Sequence, residues 1–183
     1  MTELTKTRMT AAEFLQLPET NQITELIDGQ VTVPSSRSDR HQSVLGSVLA
    51  LLYRLVNTGE VRLAPTDVYL SEADVVQPDI FWVSAQNTNC VLVDGKFWRG
   101  APDLIIEILS PSTERRDRET KFNLYQQHGV REYWMVEPEA AFLEVYTLRD
   151  GSYARLGFFG LGETFKSPAL GDVEIIVDAL LKG

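Results

Sequence analysis

A chain of 183 residues, 44% hydrophobic and 23% charged, has the size and composition of one globular domain, 1–183, able to bury about 70% of the surface its unfolded chain exposes. Its net charge of −9 excludes a general affinity for nucleic acid, because phosphate binding is driven by lysine and arginine, so any such contact must rest on a local patch. The single cysteine, Cys90, excludes a disulfide framework and a thiolate zinc site, and with only His41 and His128 present a histidine-rich zinc site is unsupported.

The N-terminus MTELTKTRMT lacks the apolar segment of an export signal. The longest apolar stretch, VLGSVLALLYRLV from Val44, runs about 13 residues where a spanning helix needs about 20. The expectation is a soluble, cytoplasmic protein with no membrane partner.

In chain order, Thr10-Ala11-Ala12-Glu13 has the capping-box spacing and predicts a short helix stopped by Pro18. ITELIDGQVTV then alternates around Asp28-Gly29, a dipeptide that tolerates the positive φ angles of a type I′ turn, and predicts a hairpin. From His41 to Val56 apolar residues recur at steps of three and four, which predicts a well-buried helix. VRLAPTDVYL, PDIFWVS and DLIIEILS read as three strands, the last two separated by a polar loop carrying Asp94-Gly95. After Ser110-Pro111-Ser112-Thr113 the pattern turns helical to about His128, with Gly129 where a left-handed residue closes a helix. REYWMVEP, AFLEVYTL and SYARLGFF read as strands, the last two joined at Asp150-Gly151, and SPALGDVEIIVDALL as a closing strand or short helix. This order predicts an α/β fold with a mixed, twisted sheet.

One residue breaks the pattern. In DLIIEILS, period-two alternation sets Leu104, Ile106 and Ile108 on one face and Ile105, Glu107 and Leu109 on the other, so Glu107 is a lone charge in a strand apolar on both sides. A buried ionised carboxylate must shift its pKa, pair, or coordinate a metal. PDIFWVS brings a second carboxylate, Asp79, just after Pro78, a residue that suits a strand start. If these strands are neighbours, Asp79 and Glu107 converge on a hard cation such as Mg²⁺, which favours one or two carboxylates plus water and phosphate oxygens.

The following helix must fold back along the sheet. Lys121 lies about eight residues into it, roughly 12 Å at 1.5 Å per residue, and Glu107 lies roughly 10 Å back from the strand end, so the two come level. An ammonium at that height can hold an attacking water or offset charge on a phosphorane-like transition state. Tyr125, one turn on, shares its face.

Several segments, taken in order, carry a family resemblance. They are ELIDG at 25–29, His41 opening the apolar helix, VVQPDI at 75–80, PDLIIEILSPST at 102–113, the KFNLY spacing from Lys121 to Tyr125, and HGVREYWMVEP at 128–138. The combination resembles the PD-(D/E)XK nuclease superfamily, and more closely a bacterial family of restriction-endonuclease-like proteins within it, over most of the chain. The resemblance implies an α/β (α+β) restriction-endonuclease-like core with flanking helices and hairpins. It also implies a metal-dependent phosphodiesterase with Asp79 and Glu107 as ligands of Mg²⁺ or Mn²⁺. The superfamily signature would place lysine at 109, where this chain has Leu109; the family's lysine is moved onto the helix, matching Lys121. Glu25 matches a further acidic position, as a ligand or as a residue orienting water.

Each assignment has a plainer counterpart. Glu107 pairs with a helix cation, Asp79 caps a strand end, and Glu25 and Lys121 are solvated. His41 is a phosphate contact, a helix-start polar residue or, most simply, a surface histidine. Among the basic residues of the helix start, Arg115, Arg116 and Arg118 are candidate nucleic-acid contacts, with Arg37 and Arg40 weaker ones, and the bland reading is a solvated helix start. Trp82, Trp98 and Trp134 read as core rather than base-stacking platforms. The expected activity is endonucleolytic, on nucleic acid and in the first instance DNA, and a homodimer is a convenient way to cut both strands. The alternatives are a catalytically silent nuclease-fold module that binds nucleic acid or protein and, last, a carboxylate-pair glycosidase.

Overall fold

The structure is a computed structural model and describes residues 8–18, 22–33 and 38–181. Thr10 caps α1 (Ala11–Phe14) with both bonds of the capping box in place. β1 (Glu25–Ile27) and β2 (Gln30–Thr32) pair across Asp28 and Gly29, whose φ angles of 49° and 69° are those of a type I′ turn. Ser38 caps α2 (Asp39–Leu55), whose buried stripe runs through His41, Val44, Val48, Leu51 and Leu52.

The strands then follow as β3 (Glu60–Leu63), β4 (Val68–Ser71), β5 (Asp74–Val76), β6 (Ile80–Val83), β7 (Val91–Val93), β8 (Phe97–Arg99) and β9 (Leu104–Ile108). A π-helical stretch, Arg116–Lys121, leads into α3 (Phe122–His128), which Gly129 closes at φ 84°. β10 (Glu132–Glu137), β11 (Phe142–Arg149), β12 (Ser152–Gly160), β13 (Thr164–Ser167), β14 (Val173–Ile176) and α4 (Asp178–Leu181) complete the chain. Among the described residues no helix is long and apolar enough to cross a membrane.

The fold is α+β with mixed sheets, and the strands divide between two sheets of six. One has the order β2-β1-β5-β4-β8-β7, the other β12-β11-β10-β9-β6-β3, and β13 pairs with β14 apart from both. β9 and β10 run parallel, as do β4 and β8. VRLAPTDVYL is therefore two strands, not one. Pro65 has no N–H for a ladder, the chain turns there, and β3 edges the second sheet while β4 enters the first. The loop carrying Asp94-Gly95 is likewise a hairpin, β7–β8, with both residues at positive φ.

Two cores follow from the alternation on β9. Ile106 and Ile108 pack with Ile80, Trp134 and the stripe of α2. Ile105 and Leu109 face the other way, into a core between the two sheets where Phe81, Trp98, Tyr133 and Met135 meet Tyr125 of α3. All three tryptophans are core residues. Glu107, flanked by Ile105 and Leu109, points into this second core, where α3 and the first sheet close over it.

A second buried carboxylate serves the architecture alone. Glu132 on β10 is fully buried and accepts from Trp134 Nε1 and Ser167 Oγ, both at 2.6 Å, and from the Ala169 amide at 2.9 Å. It clips the end of β13 to the central sheet. Glu132→Ala leaves three buried donors without an acceptor and is expected to cost about 3 kcal/mol, read as a lowered midpoint of urea unfolding.

Candidate active site

β6 and β9 are antiparallel neighbours with Ile80 opposite Ile106, and continuing that register one residue sets Asp79 level with Glu107. Asp79 Oδ2 accepts from the Ile108 amide at 2.9 Å, so it does cap a strand edge, and it also meets His41 Nε2 at 3.2 Å. Glu25 arrives from the other sheet. Its Oε1 accepts from the Gln77 amide at 3.0 Å, and its Oε2 lies 3.1 Å from Arg116 Nη2.

Lys121 closes the set. Its Nζ lies 2.8 Å from Glu107 Oε1, 2.9 Å from Glu25 Oε1 and 3.7 Å from Asp117 Oδ1. Tyr125 Oη donates to the same Glu107 Oε1 at 2.7 Å. The π turn in place of the expected α turn carries both Asp117 and Lys121 inward, while Arg115 stays on the surface. Glu25, Asp79, Glu107, Asp117, Lys121 and His41 are each at most 2% exposed.

Glu25 and Lys121 are thus not solvated, and His41 is not a surface histidine. His41 lies three residues after the Ser38 cap, on the buried stripe of α2, and its ring reaches Asp79 just ahead of β6. The arginines separate. Arg115 is exposed and pairs with Glu119, and Arg118 is held by Glu114 and Glu144. Arg116 alone of the three borders the carboxylates, bonding Thr32 Oγ1 at 3.3 Å as well as meeting Glu25. Arg40 donates to the Leu181 carbonyl, and Arg37 lies outside the described residues. Asp117 was not among the sequence candidates, although its i, i+4 spacing to Lys121 is a signal for it. Two surface grooves meet at Ser84, Gln86 and Arg131, and neither is lined by any residue of this set.

The electrostatics follow from crowding. Burial pushes the Glu107 carboxyl up to about 8; Lys121 opposes that shift, and the neighbouring Asp117, Asp79 and Glu25 add to it. Burial also raises the Asp117 carboxyl. For Lys121 burial works against the charge, but Glu107, Glu25 and Asp117 outweigh it and hold the ammonium above its usual range. The surrounding carboxylates thus favour its charged form over a neutral, basic one.

Four buried carboxyl groups thus crowd around one buried lysine with one arginine at the rim, a set of hard oxygen donors whose mutual repulsion favours a proton on Glu107. Glu25 Oε2 and Asp117 Oδ1 accept no hydrogen bond. Among the described residues no three acidic, histidine or cysteine side chains already form a metal cage. Mg²⁺ does not need one, since it is held by one or two carboxylates with water and phosphate oxygens in its remaining positions. The hard oxygen donor set fits such an ion.

Comparison with known proteins agrees with this architecture. Residues 11–178 match the family model Uma2, described as "Putative restriction endonuclease". The crystal structure of a putative nuclease belonging to DUF820 from Anabaena variabilis superposes with a TM-score of 0.78 over 95% of this chain and 98% of that one, at 18% identity, which is a likeness of fold. An uncharacterized protein of Synechocystis is 24% identical over 147 residues, 78% of this chain and 76% of its own. With the family match running from α1 to the start of α4, over a nuclease-like fold that gathers Glu25, Asp79, Glu107 and Lys121 at one point, this chain belongs to the Uma2 family of restriction-endonuclease-like proteins.

Proposed function

We propose that this protein is a metal-dependent nuclease that hydrolyses phosphodiester bonds in DNA. The observation that supports it most is the convergence of Glu107, Glu25 and Asp117 on Lys121, with Asp79, just ahead of the neighbouring strand, level with Glu107, in one buried cluster drawn from both sheets and the π turn. Asp79 and Glu107 would hold Mg²⁺ or Mn²⁺, which when bound supplies Lewis-acid charge against the scissile phosphate and acidifies water. Lys121, favoured in its charged form by the carboxylates around it, orients a water lone pair and offsets charge on the phosphate oxygens. Glu25 keeps Lys121 on station, and His41 keeps Asp79 turned toward β9.

Arg116 is the phosphate contact in this reading. It is the partly exposed cation beside the carboxylates, and its Nε is buried without a hydrogen-bond partner. Arg116→Ala is expected to raise KM for DNA by roughly 10-fold or more, the scale of one charge-assisted hydrogen bond, while Arg115→Ala leaves it unchanged. Equal KM for the two variants removes Arg116 from the substrate surface.

Incubation with single- and double-stranded DNA and RNA in Mg²⁺ or Mn²⁺, against Glu107→Ala, tests the whole reading. Cleavage lost in the variant supports it; cleavage equal in the two proteins sinks it. The net charge of −9 and the closure of the carboxylates from solvent favour a second reading, a silent nuclease-fold module that binds nucleic acid or a protein. Calorimetry separates them, because the silent module takes up neither Mg²⁺ nor Mn²⁺.

A further inference from the structure

We propose that Tyr125 is a positioning residue of this site, its hydroxyl determining which oxygen of Glu107 is presented to a cation. The inference rests on the metal-dependent reading above and adds a residue to it. Glu107 Oε1 takes two hydrogen bonds, from Lys121 Nζ at 2.8 Å and from Tyr125 Oη at 2.7 Å. A carboxylate oxygen has two in-plane lone pairs, so these donors fill Oε1 and leave coordination to Oε2. Lys121 alone would not fix that choice. Its ammonium is shared with Glu25 at 2.9 Å, and the terminal torsion of a glutamate side chain is broad and roughly two-fold, so a carboxylate held by one shared donor exchanges its oxygens.

The phenol is held independently of its hydroxyl. Tyr125 is fully buried, and its ring stands edge-on to Tyr133, with centroids 5.1 Å apart and planes at 77°. Tyr133 is itself fastened by its hydroxyl, which donates to the Asp117 carbonyl of the π turn at 3.1 Å. One tyrosine braces the turn that delivers Lys121, and the other braces the carboxylate that Lys121 meets. The ring anchorage means that Tyr125→Phe removes one hydrogen bond and little else. Tyr153→Phe removes another tyrosine hydroxyl, one that donates to the Val130 carbonyl at 3.0 Å rather than to Glu107 or the π turn, which makes it the control.

The experiment is calorimetric titration of Mn²⁺ into the DNA-free full chain, with thermal unfolding of the EDTA-treated proteins alongside. Groups that orient metal ligands typically govern roughly 10- to 100-fold in metal affinity. Tyr125→Phe is therefore expected to weaken Mn²⁺ binding by roughly 10-fold or more, with Tyr153→Phe within about twofold of wild type and Glu107→Gln without measurable binding. Wild-type affinity in Tyr125→Phe, with binding lost in Glu107→Gln, overturns the role of Tyr125 and leaves the metal reading standing. An equal loss in Tyr125→Phe and Tyr153→Phe also overturns it, since the effect is then one of core integrity. Wild-type affinity in Glu107→Gln overturns both the role of Tyr125 and the metal reading on which it depends. If Tyr125→Phe does not fold, its hydroxyl is needed for more than orientation, and the proposal falls.

Discussion

Glu107→Gln is expected to abolish DNA cleavage while leaving the metal-free protein at least as stable as wild type. Glutamine keeps the shape of the side chain and an oxygen that accepts from Lys121 and Tyr125, and it removes the negative charge that a cation requires. A metal supplies several kcal/mol of transition-state charge stabilisation, so the loss in kcat is expected at about 10³-fold or beyond. Stability moves the other way because burial among Asp117, Asp79 and Glu25 makes the ionised Glu107 unfavourable in the absence of a metal. Its folded-state pKa, near 8, is above the ordinary carboxylate value of 4.5, so the folded protein holds a proton that the unfolded chain releases between those two values. The contribution of this group to stability is complete below about pH 4.5 and is lost as pH rises through about 8. In EDTA, wild type should lose stability relative to Glu107→Gln across that window, read from urea midpoints at stepped pH. A difference between the two proteins that does not change with pH would remove the strained carboxylate, and undiminished cleavage by Glu107→Gln would remove its catalytic role.

Lys121→Met is expected to cost both activity and fold. Among the described residues the ammonium is the one fully buried cation touching Glu25, Glu107 and Asp117, and truncating one member of a buried charge network typically costs roughly 3–5 kcal/mol because its partners remain in place. Pairing it with Glu107→Gln removes one stranded carboxylate and should recover part of the loss, so the double-mutant cycle shows coupling of about 1 kcal/mol or more. Additive effects would mean that Lys121 and Glu107 do not act as a unit. Cleavage should be lost in both the single and the double variant, which separates the stability of the cluster from its chemistry.

Much of this site is local in origin. The Asp-Gly pairs at 28–29 and 150–151 have the positive φ angles that such pairs accommodate, the capping box at Thr10 forms, and Gly129 closes α3 in the left-handed region. The alternation in DLIIEILS assigns Glu107 to the face with Ile105 and Leu109, because side-chain direction in a strand depends only on position along it. The plainer reading of Glu107, an ion pair with a helix cation, holds: its partner is Lys121, and that pair is the centre of the acidic cluster.

Partner choice is another matter. The runs on either side of Pro65 are equally strand-like, and nothing local sends β3 to one sheet and β4 to the other; the hydrophobic faces each had available to cover decide it. The same holds for His41, whose ring lies inward only because α2 packs on the sheet that contains β6. Arg115, Arg116 and Arg118 are interchangeable as letters. Their separation into a solvated pair, a rim contact and a surface clamp comes from the π turn, a one-residue change of helical phase with no side-chain signature of its own. The sequence by itself therefore determined the turns, the strand faces and the residue types of the acidic cluster, all properties of neighbours along the chain. The tertiary structure alone decided that Glu25 from one sheet, Asp79 and Glu107 from the other, and Lys121 from the π turn share one buried volume, because that depends on which distant surfaces cover one another.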